Sequence, residues 1–219
     1  MDFLYQFQIK KLALLNPAKL FYRINQLPWY KNTLEEWINN QNFPTNSKLL
    51  EVGCATGEMS SFLEKTHQVT AVDASRRMIR VAKKHHKNID FKLANVYKLP
   101  FEDESFDTVV SASLINIVTD KKKAIREILR VCKIGGAITL LFPLKGFKNS
   151  DHQRLEQQLN LKRFSKTALK MWHSMADKMS LEELGESFEN QGGYQIVNST
   201  IYLDGMVVSV SIHKIGRTL

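Results

Sequence analysis

From residue 47 onward the chain alternates short apolar runs with amphipathic stretches, and this alternation restricts the fold more than any other feature. Lys48-Leu49-Leu50-Glu51-Val52 is a short apolar run ending at Gly53, the pattern of a strand buried on both faces. Similar runs predict strands over 68–73, 89–94, 106–113 and 137–142. Between them the spacing predicts helices. One spans about 57–65, and a second follows an N-cap at Ser75, with Met78, Ile79, Val81 and Ala82 on one face. A third covers 121–132, with Ala124, Ile125, Ile128, Leu129 and Cys132 at helical spacing and Gly135-Gly136 as its stop. Runs over 194–203 and 206–215 meet at Asp204-Gly205, a hairpin signal, and Met206, Val208, Val210 and Ile212 alternate with Val207, Ser209, Ser211 and His213. The predicted class is α/β, a doubly wound, mostly parallel sheet with an antiparallel C-terminal edge hairpin.

Two segments lie outside the alternation. Residues 1–46 hold nine of the 21 aromatics, a density that predicts packing rather than a loose tail. Residues 144–190 carry helical patterning around 155–161 and 169–179. The expected organisation is an N-terminal helical cap (1–46) and a core (47–219) whose 144–190 insert forms a helical lid.

Charge and cysteine content narrow the setting. The net charge is +9, and residues 1–100 hold 15 Lys/Arg against 8 Asp/Glu. A basic half suits nucleic acid, an anionic membrane surface or an acidic small molecule, and scattered charge is first of all a solvated surface. No apolar run is long enough to span a membrane. Lys10 and Lys11 interrupt the N-terminal apolar stretch where a secretory core would be uncharged. Cys54 and Cys132 are too few for a disulfide framework or a zinc cluster, so no metal site is expected. The expected setting is the cytoplasm.

The chemistry concentrates in Glu51-Val52-Gly53-Cys54-Ala55-Thr56-Gly57, a glycine turn between a strand and a helix. Such a turn lets backbone approach a ligand, and an acid at the end of the next strand, here Asp73, can hydrogen-bond a ribose diol. Counted from Gly53, the second and third glycines of a dinucleotide fingerprint fall on Ala55 and Glu58. That disfavours a pyrophosphate and points to a nucleoside without phosphate.

Here the chain resembles the class I S-adenosylmethionine-dependent methyltransferases. The glycine motif 50–57 is followed by Val72-Asp73-Ala74-Ser75. Next comes Leu99-Pro100-Phe101-Glu102-Asp103-Glu104-Ser105-Phe106-Asp107-Thr108-Val109-Val110, similar to the family's fourth-strand signature. Arg130-Val131-Cys132-Lys133-Ile134-Gly135-Gly136 is similar to its turn into the fifth strand. The resemblance covers 47–143 and implies S-adenosylmethionine as cofactor. It implies that Gly53, Cys54 and Ala55, in a motif closed by Gly57, line the methionine part, with Glu51 near the amino group. Asp73 would take the ribose hydroxyls. Ala74 and Met78 would pack on the adenine, Asn95 and Val96 would meet its edge, and Ser111 would approach the methionine group. Ala55 stands where the family has a middle glycine, Asn95 where an aspartate is common and Ile134 where a proline is common.

A sulfonium methyl donor is already activated, so the implied reaction is in-line transfer needing no triad or metal. Ser111-Ala112-Ser113-Leu114 lacks the Pro-Pro-aromatic motif of base amino-methylating enzymes, and neither cysteine is placed for cytosine methylation. The favoured acceptor is a small molecule, as in the family's quinone- and natural-product-modifying branch. The alternatives are an RNA methyltransferase using the basic half and a non-catalytic binding module. Tyr22, Trp29, Tyr30 and Trp172 are the candidate acceptor-pocket aromatics, and His173 is the weak candidate general base.

Overall fold

The computed structural model describes residues 2–216. Three helices come first: α1 (Asp2–Leu15), α2 (Pro17–Asn25) and α3 (Pro28–Asn39). Asn16 separates the first two, its side chain accepting from Lys19 N at 3.2 Å, while Pro17 and Pro28 open α2 and α3 where no amide donor is needed. The alternating part then runs β1 (Lys48–Val52), α4 (Glu58–Leu63), β2 (Gln68–Asp73), α5 (Arg76–His85), β3 (Asp90–Leu93), β4 (Phe106–Ala112), α6 (Lys121–Val131) and β5 (Cys132–Pro143). Helices α7 (Asn149–Gln158), α8 (Arg163–Met175) and α9 (Leu181–Phe188) precede the hairpin of β6 (Tyr194–Tyr202) and β7 (Val207–Lys214).

The sheet order is β3-β2-β1-β4-β5-β7-β6. The first five strands are parallel, β7 runs antiparallel to β5, and β6 is the outer edge. Because side chains alternate across a strand, adjacent apolar residues serve opposite faces. Leu50, Val109 and Leu140 pack with α6 and α9 through Ile125, Ile128 and Phe188. Leu49, Val110 and Leu141 pack with α1–α4, α7 and α8 through Ile9, Ile24, Trp37, Met59, Leu155 and Leu169. The insert is therefore divided by the sheet, with α9 on one face and α7 and α8 on the other. Met206, grouped by alternation with Val208, instead joins Val207 on the second face, because it precedes the strand and is helical in conformation.

Gly135-Gly136 differs from its sequence reading as a helix stop. α6 passes directly into β5 at Cys132, and the two glycines form a bulge where Phe106 pairs Cys132 and Thr108 already pairs Ala137. A Cβ at Gly136 would stand 2.8 Å from Asp107 O and Cys132 Sγ, so only glycine fits. Arg130 explains why the 99–107 and 130–136 motifs travel together. Its guanidinium donates to Leu99 O, Phe101 O, Asp103 and Glu127, all between 2.8 and 3.1 Å, clamping the loop that feeds β4. Among the described residues no helix is long and apolar enough to cross a membrane.

Trp37 is fully buried and its indole N–H donates to Thr139 on β5 at 3.2 Å, joining the N-terminal helices to the sheet. Trp37→Ala should lower the unfolding free energy by about 3–5 kcal/mol in denaturant titration. A loss below about 1 kcal/mol would mean that α3 is not part of the cooperative core.

Candidate functional site

Strand order reverses between β1 and β4, and a crevice outside the carboxyl ends of the strands is where ligands enter such sheets. A cavity of about 290 Å³ lies there. Its floor is Glu51, Gly53, Cys54 and Ala55 after β1, Asp73, Ser75 and Met78 after β2, and Ala112, Ser113 and Leu114 after β4. Its walls are Phe21 and Asn25 of α2, Tyr30 and Leu34 of α3, Glu58 and Met59 of α4, and Trp172 and Ala176 at the end of α8. A smaller apolar recess continues from it between Trp29, Tyr30, Leu34, Trp172, Leu141 and Val207.

Backbone conformation explains the loop residues. Gly53 has φ +83°, and a Cβ there would meet Leu114 at 3.1 Å. Gly57 has φ +84° as the N-cap of α4, and a Cβ there would strike Phe91 at 2.7 Å. Ala55 also sits in the left-handed region at φ +45°, unusual for a residue with a side chain. It is held there by its own amide, which donates to Asp73 Oδ2 at 3.0 Å. The other carboxylate oxygen accepts from Ser75 N at 2.8 Å, so Asp73 bridges the glycine loop and the start of α5.

Acidic groups dominate the cavity of this basic chain. Glu51 is buried and accepts from the Ser60 hydroxyl. Burial pushes its carboxyl up to about 7, opposed by the Ser60 hydrogen bond and reinforced by Asp73. Burial also raises Asp73, against the two amide bonds. The Tyr30 phenol is pushed up by burial and then by Glu51 and Glu58, so it stays protonated. Burial raises the Cys54 thiol, which removes it as a nucleophile. Glu58 is buried but paired, with Lys31 at 2.8 Å and Gln26 at 2.5 Å. Asn25 Nδ2 donates to Thr56 Oγ1 at 3.0 Å. Polar contacts from α2, its C-terminus and α3 thus clasp the loop after β1.

Of the residues singled out from sequence, Glu51, Gly53, Cys54, Ala55, Asp73, Met78, Tyr30 and Trp172 converge on this cavity. Trp29 lines the recess only. Gly57, Ala74, Asn95, Val96 and Ser111 do not line it. Asn95 accepts from Tyr97 N, Val96 is core, and the Ser111 hydroxyl donates to Val52 O at 2.8 Å, bracing β4 on β1. Tyr22 is stacked on His85 at 4.2 Å rather than facing the cavity. His173 is also outside the lining. It is buried against His152, ring nitrogens 2.9 Å apart, and burial with the neighbouring Lys178 and His152 lowers it to about 4. The sequence reading missed Asn25 at the end of α2, Leu34 inside α3, and Ser113 and Asn116 in the loop after β4. Glu58 was visible only as the acid that breaks the dinucleotide pattern.

The cavity suits S-adenosylmethionine. Glu51, Asp73 and Glu58 complement a ligand carrying sulfonium and ammonium charge, and Asp73 retains lone pairs for a diol.

Glu51 gives a pH-dependent contribution to stability with a defined sign. Its folded value of about 7 lies above the ordinary 4.5, so across that window the folded protein keeps a proton that the unfolded chain releases. Stability from this group is fully present at low pH and falls as pH rises through the window, by on the order of 3 kcal/mol. His173 acts in the opposite direction and is common to wild type and variant. The unfolding free energy of Glu51→Gln relative to wild type should therefore climb between about 4.5 and about 7 and level off above. A flat difference in denaturant melts across that range would show that Glu51 titrates normally.

A family model described as a methyltransferase domain matches residues 50–140. The ubiquinone/menaquinone biosynthesis C-methyltransferase UbiE of Shewanella halifaxensis is 30% identical over 190 residues, covering 76% of this chain and 72% of that protein. The demethylmenaquinone methyltransferase of Renibacterium salmoninarum is 36% identical over 94 residues, covering 42% of this chain and 40% of that protein. A crystal structure of an S-adenosylmethionine-dependent methyltransferase from Aquifex aeolicus shares the fold, with TM-score 0.64 at 18% identity over 95% of this chain and 97% of that one. The matched span runs from the glycine loop to β5, the part of the sheet that carries the cavity floor. The chain belongs to the class I S-adenosylmethionine-dependent methyltransferases, and S-adenosylmethionine is its cofactor.

Proposed function

We propose that the chain methylates a ring carbon of an apolar aromatic small molecule of the quinol class. The observation that carries this reading is the aromatic and aliphatic wall that Tyr30, Leu34 and Trp172 give the acidic cavity, backed by Trp29, Leu141 and Val207. A flat apolar ring fits such a wall, while a sugar or a phosphate would be stranded there. The names of the similar proteins, a ubiquinone/menaquinone biosynthesis C-methyltransferase and a demethylmenaquinone methyltransferase, support the same acceptor class. A reduced quinone ring is electron-rich, so a ring carbon standing in line with the methyl group attacks it as the carbon–sulfur bond breaks. The thioether S-adenosylhomocysteine leaves, and the proton on that ring carbon is lost to water to restore the aromatic ring.

Bound S-adenosylmethionine supplies a methyl already activated on sulfur, so the chain has mainly to orient the acceptor and exclude water. Asp73 and the loop 53–55 hold the nucleoside end. Glu51 holds the ammonium end, which favours its ionised form. Tyr30, protonated throughout the physiological range, can donate a hydrogen bond from its hydroxyl to an oxygen of the acceptor. Residues 1–46 act as the cap and α8 of the 144–190 insert as the lid, because Tyr30, Leu34 and Trp172 wall the cavity from those segments. The free thiols of Cys54 and Cys132, both buried, support a reducing cytoplasmic setting.

Labelled methyl should pass from S-adenosylmethionine to a reduced demethylmenaquinone, with the label on carbon by mass spectrometry. Label on oxygen, or transfer only to RNA, would overturn the acceptor assignment. Asp73→Asn should weaken S-adenosylmethionine binding by about 1.5–3 kcal/mol in calorimetry, the range for hydrogen bonds to a charged group. Unchanged affinity would remove Asp73 from the nucleoside site. Trp172→Ala should raise the acceptor KM by about tenfold or more and the cofactor Kd by less, since apolar wall area is what it removes. The reverse ordering would place Trp172 on the cofactor instead.

A further inference from the structure

Helix α1 is apolar on both sides. Ile9, Leu12 and Ala13 pack into the core beside α8, as the inner face of a surface helix should. The outer face should then be polar, and it is not. Leu4, Phe7, Lys11, Leu14 and Leu15 follow at helical spacing, with Leu14 84% and Leu15 61% exposed. Phe21 extends the apolar surface onto α2, where it is exposed and also lines the cavity, as does exposed Ile117.

The charge around this surface has one sign. Lys10, Lys11, Lys19 and Arg23 lie on α1 and α2, and α5 adds Arg76, Arg77, Arg80, Lys83 and Lys84. Helices α1, α2 and α5 together hold these nine basic residues and a single acid, Asp2. Tyr22 on α2 stacks on His85 of α5, so the three helices are continuous. Among the described residues, no carboxylate lies within ion-pairing distance of any of the nine.

We propose that the outer face of α1, continued by Phe21 and flanked by the basic residues of α2 and α5, is a docking surface for an anionic phospholipid bilayer. Exposed leucine and phenylalanine inserted among acyl chains, with lysine and arginine at the headgroups, is the pattern of an interfacial helix. A nucleic acid would use the cations and leave four aliphatic and aromatic side chains in water. A symmetric second copy would bring two unpaired basic surfaces together. Docked this way, the rim formed by Phe21 and Ile117 faces the lipid, where a partly apolar acceptor dissolves. The docking itself does not depend on the acceptor assignment, since it is read on vesicles that contain none.

Flotation of the full chain with phosphatidylcholine vesicles, with and without phosphatidylglycerol, tests the proposal at physiological salt. Wild type should float with the anionic vesicles and not with phosphatidylcholine alone. Leu14→Gln/Leu15→Gln should lower the partition coefficient by at least about tenfold while S-adenosylmethionine affinity stays unchanged. Arg80→Glu/Lys84→Glu should lower it by a similar factor. An environment-sensitive fluorophore on Leu14→Cys should shift to the blue with anionic vesicles, a readout that needs no core change. Three results would overturn the proposal: no flotation of folded wild type, flotation unaffected by the leucine pair, or a wild-type dimer that the leucine pair dissociates. Salt-resistant RNA binding that outcompetes vesicles and ignores the leucine pair would also overturn it.

Discussion

The hydrogen bond from Ala55 N to Asp73 connects two turns that the sheet brings together but does not by itself join. Strands β1 and β2 pair in register up to Val52 and Val72, and beyond them each chain must leave in its own direction. Gly53 and Cys54 amides donate to Val72 O at 2.8 and 2.9 Å, and Ala55 then reaches the carboxylate of the next residue, Asp73. The loop is thereby fixed in a left-handed path despite the Ala55 methyl. The cavity floor, the position of α4 and the start of α5 all follow from that closure.

The second constraint is electrostatic. Three carboxylates, Glu51, Asp73 and Glu58, border one cavity, and burial alone would neutralise them or unfold the site. Each is stabilised by different means: a hydroxyl from Ser60, amides from Ala55 and Ser75, and Lys31 with Gln26. The third set comes from the N-terminal segment, which is why α2 and α3 belong to the site and are more than a covering. The field that remains favours a cationic ligand and keeps the Tyr30 phenol neutral. Acid inside and base outside also separates the two surfaces of the molecule, one for the cofactor and one for an anionic partner.

Departures from the family pattern have local consequences rather than global ones. Alanine at position 55 costs backbone strain that the Asp73 bond offsets. Asparagine at position 95 serves its own turn by accepting from Tyr97 N at 3.0 Å. The Arg130 clamp and the Gly136 contact are structural features carried by two motifs that sequence comparison treats as signatures. Their distance from the cavity explains why they mark the family without touching its ligand.

Strand–helix alternation was legible because periodicity is local: 2 residues for a strand and 3.6 for a helix sort side chains before any tertiary contact exists. The glycine loop, Asp73 at the end of β2, the Ser75 cap and the C-terminal hairpin were all readable in this way. What lies between distant segments was not. Nothing in the order of residues places Asn25 beside Thr56, Lys31 beside Glu58 or Trp37 on Thr139. It likewise does not turn Ser111 toward β1, Tyr22 onto His85 or His173 away from the cavity. The pattern along the chain determined the sheet, its helices and the cofactor loop. Only packing of the N-terminal helices and α8 over the second face decided the walls of the cavity and which apolar residues stayed outside. Such contacts depend on where two faces meet in space, and periodicity tells which side of an element is apolar but not what will cover it.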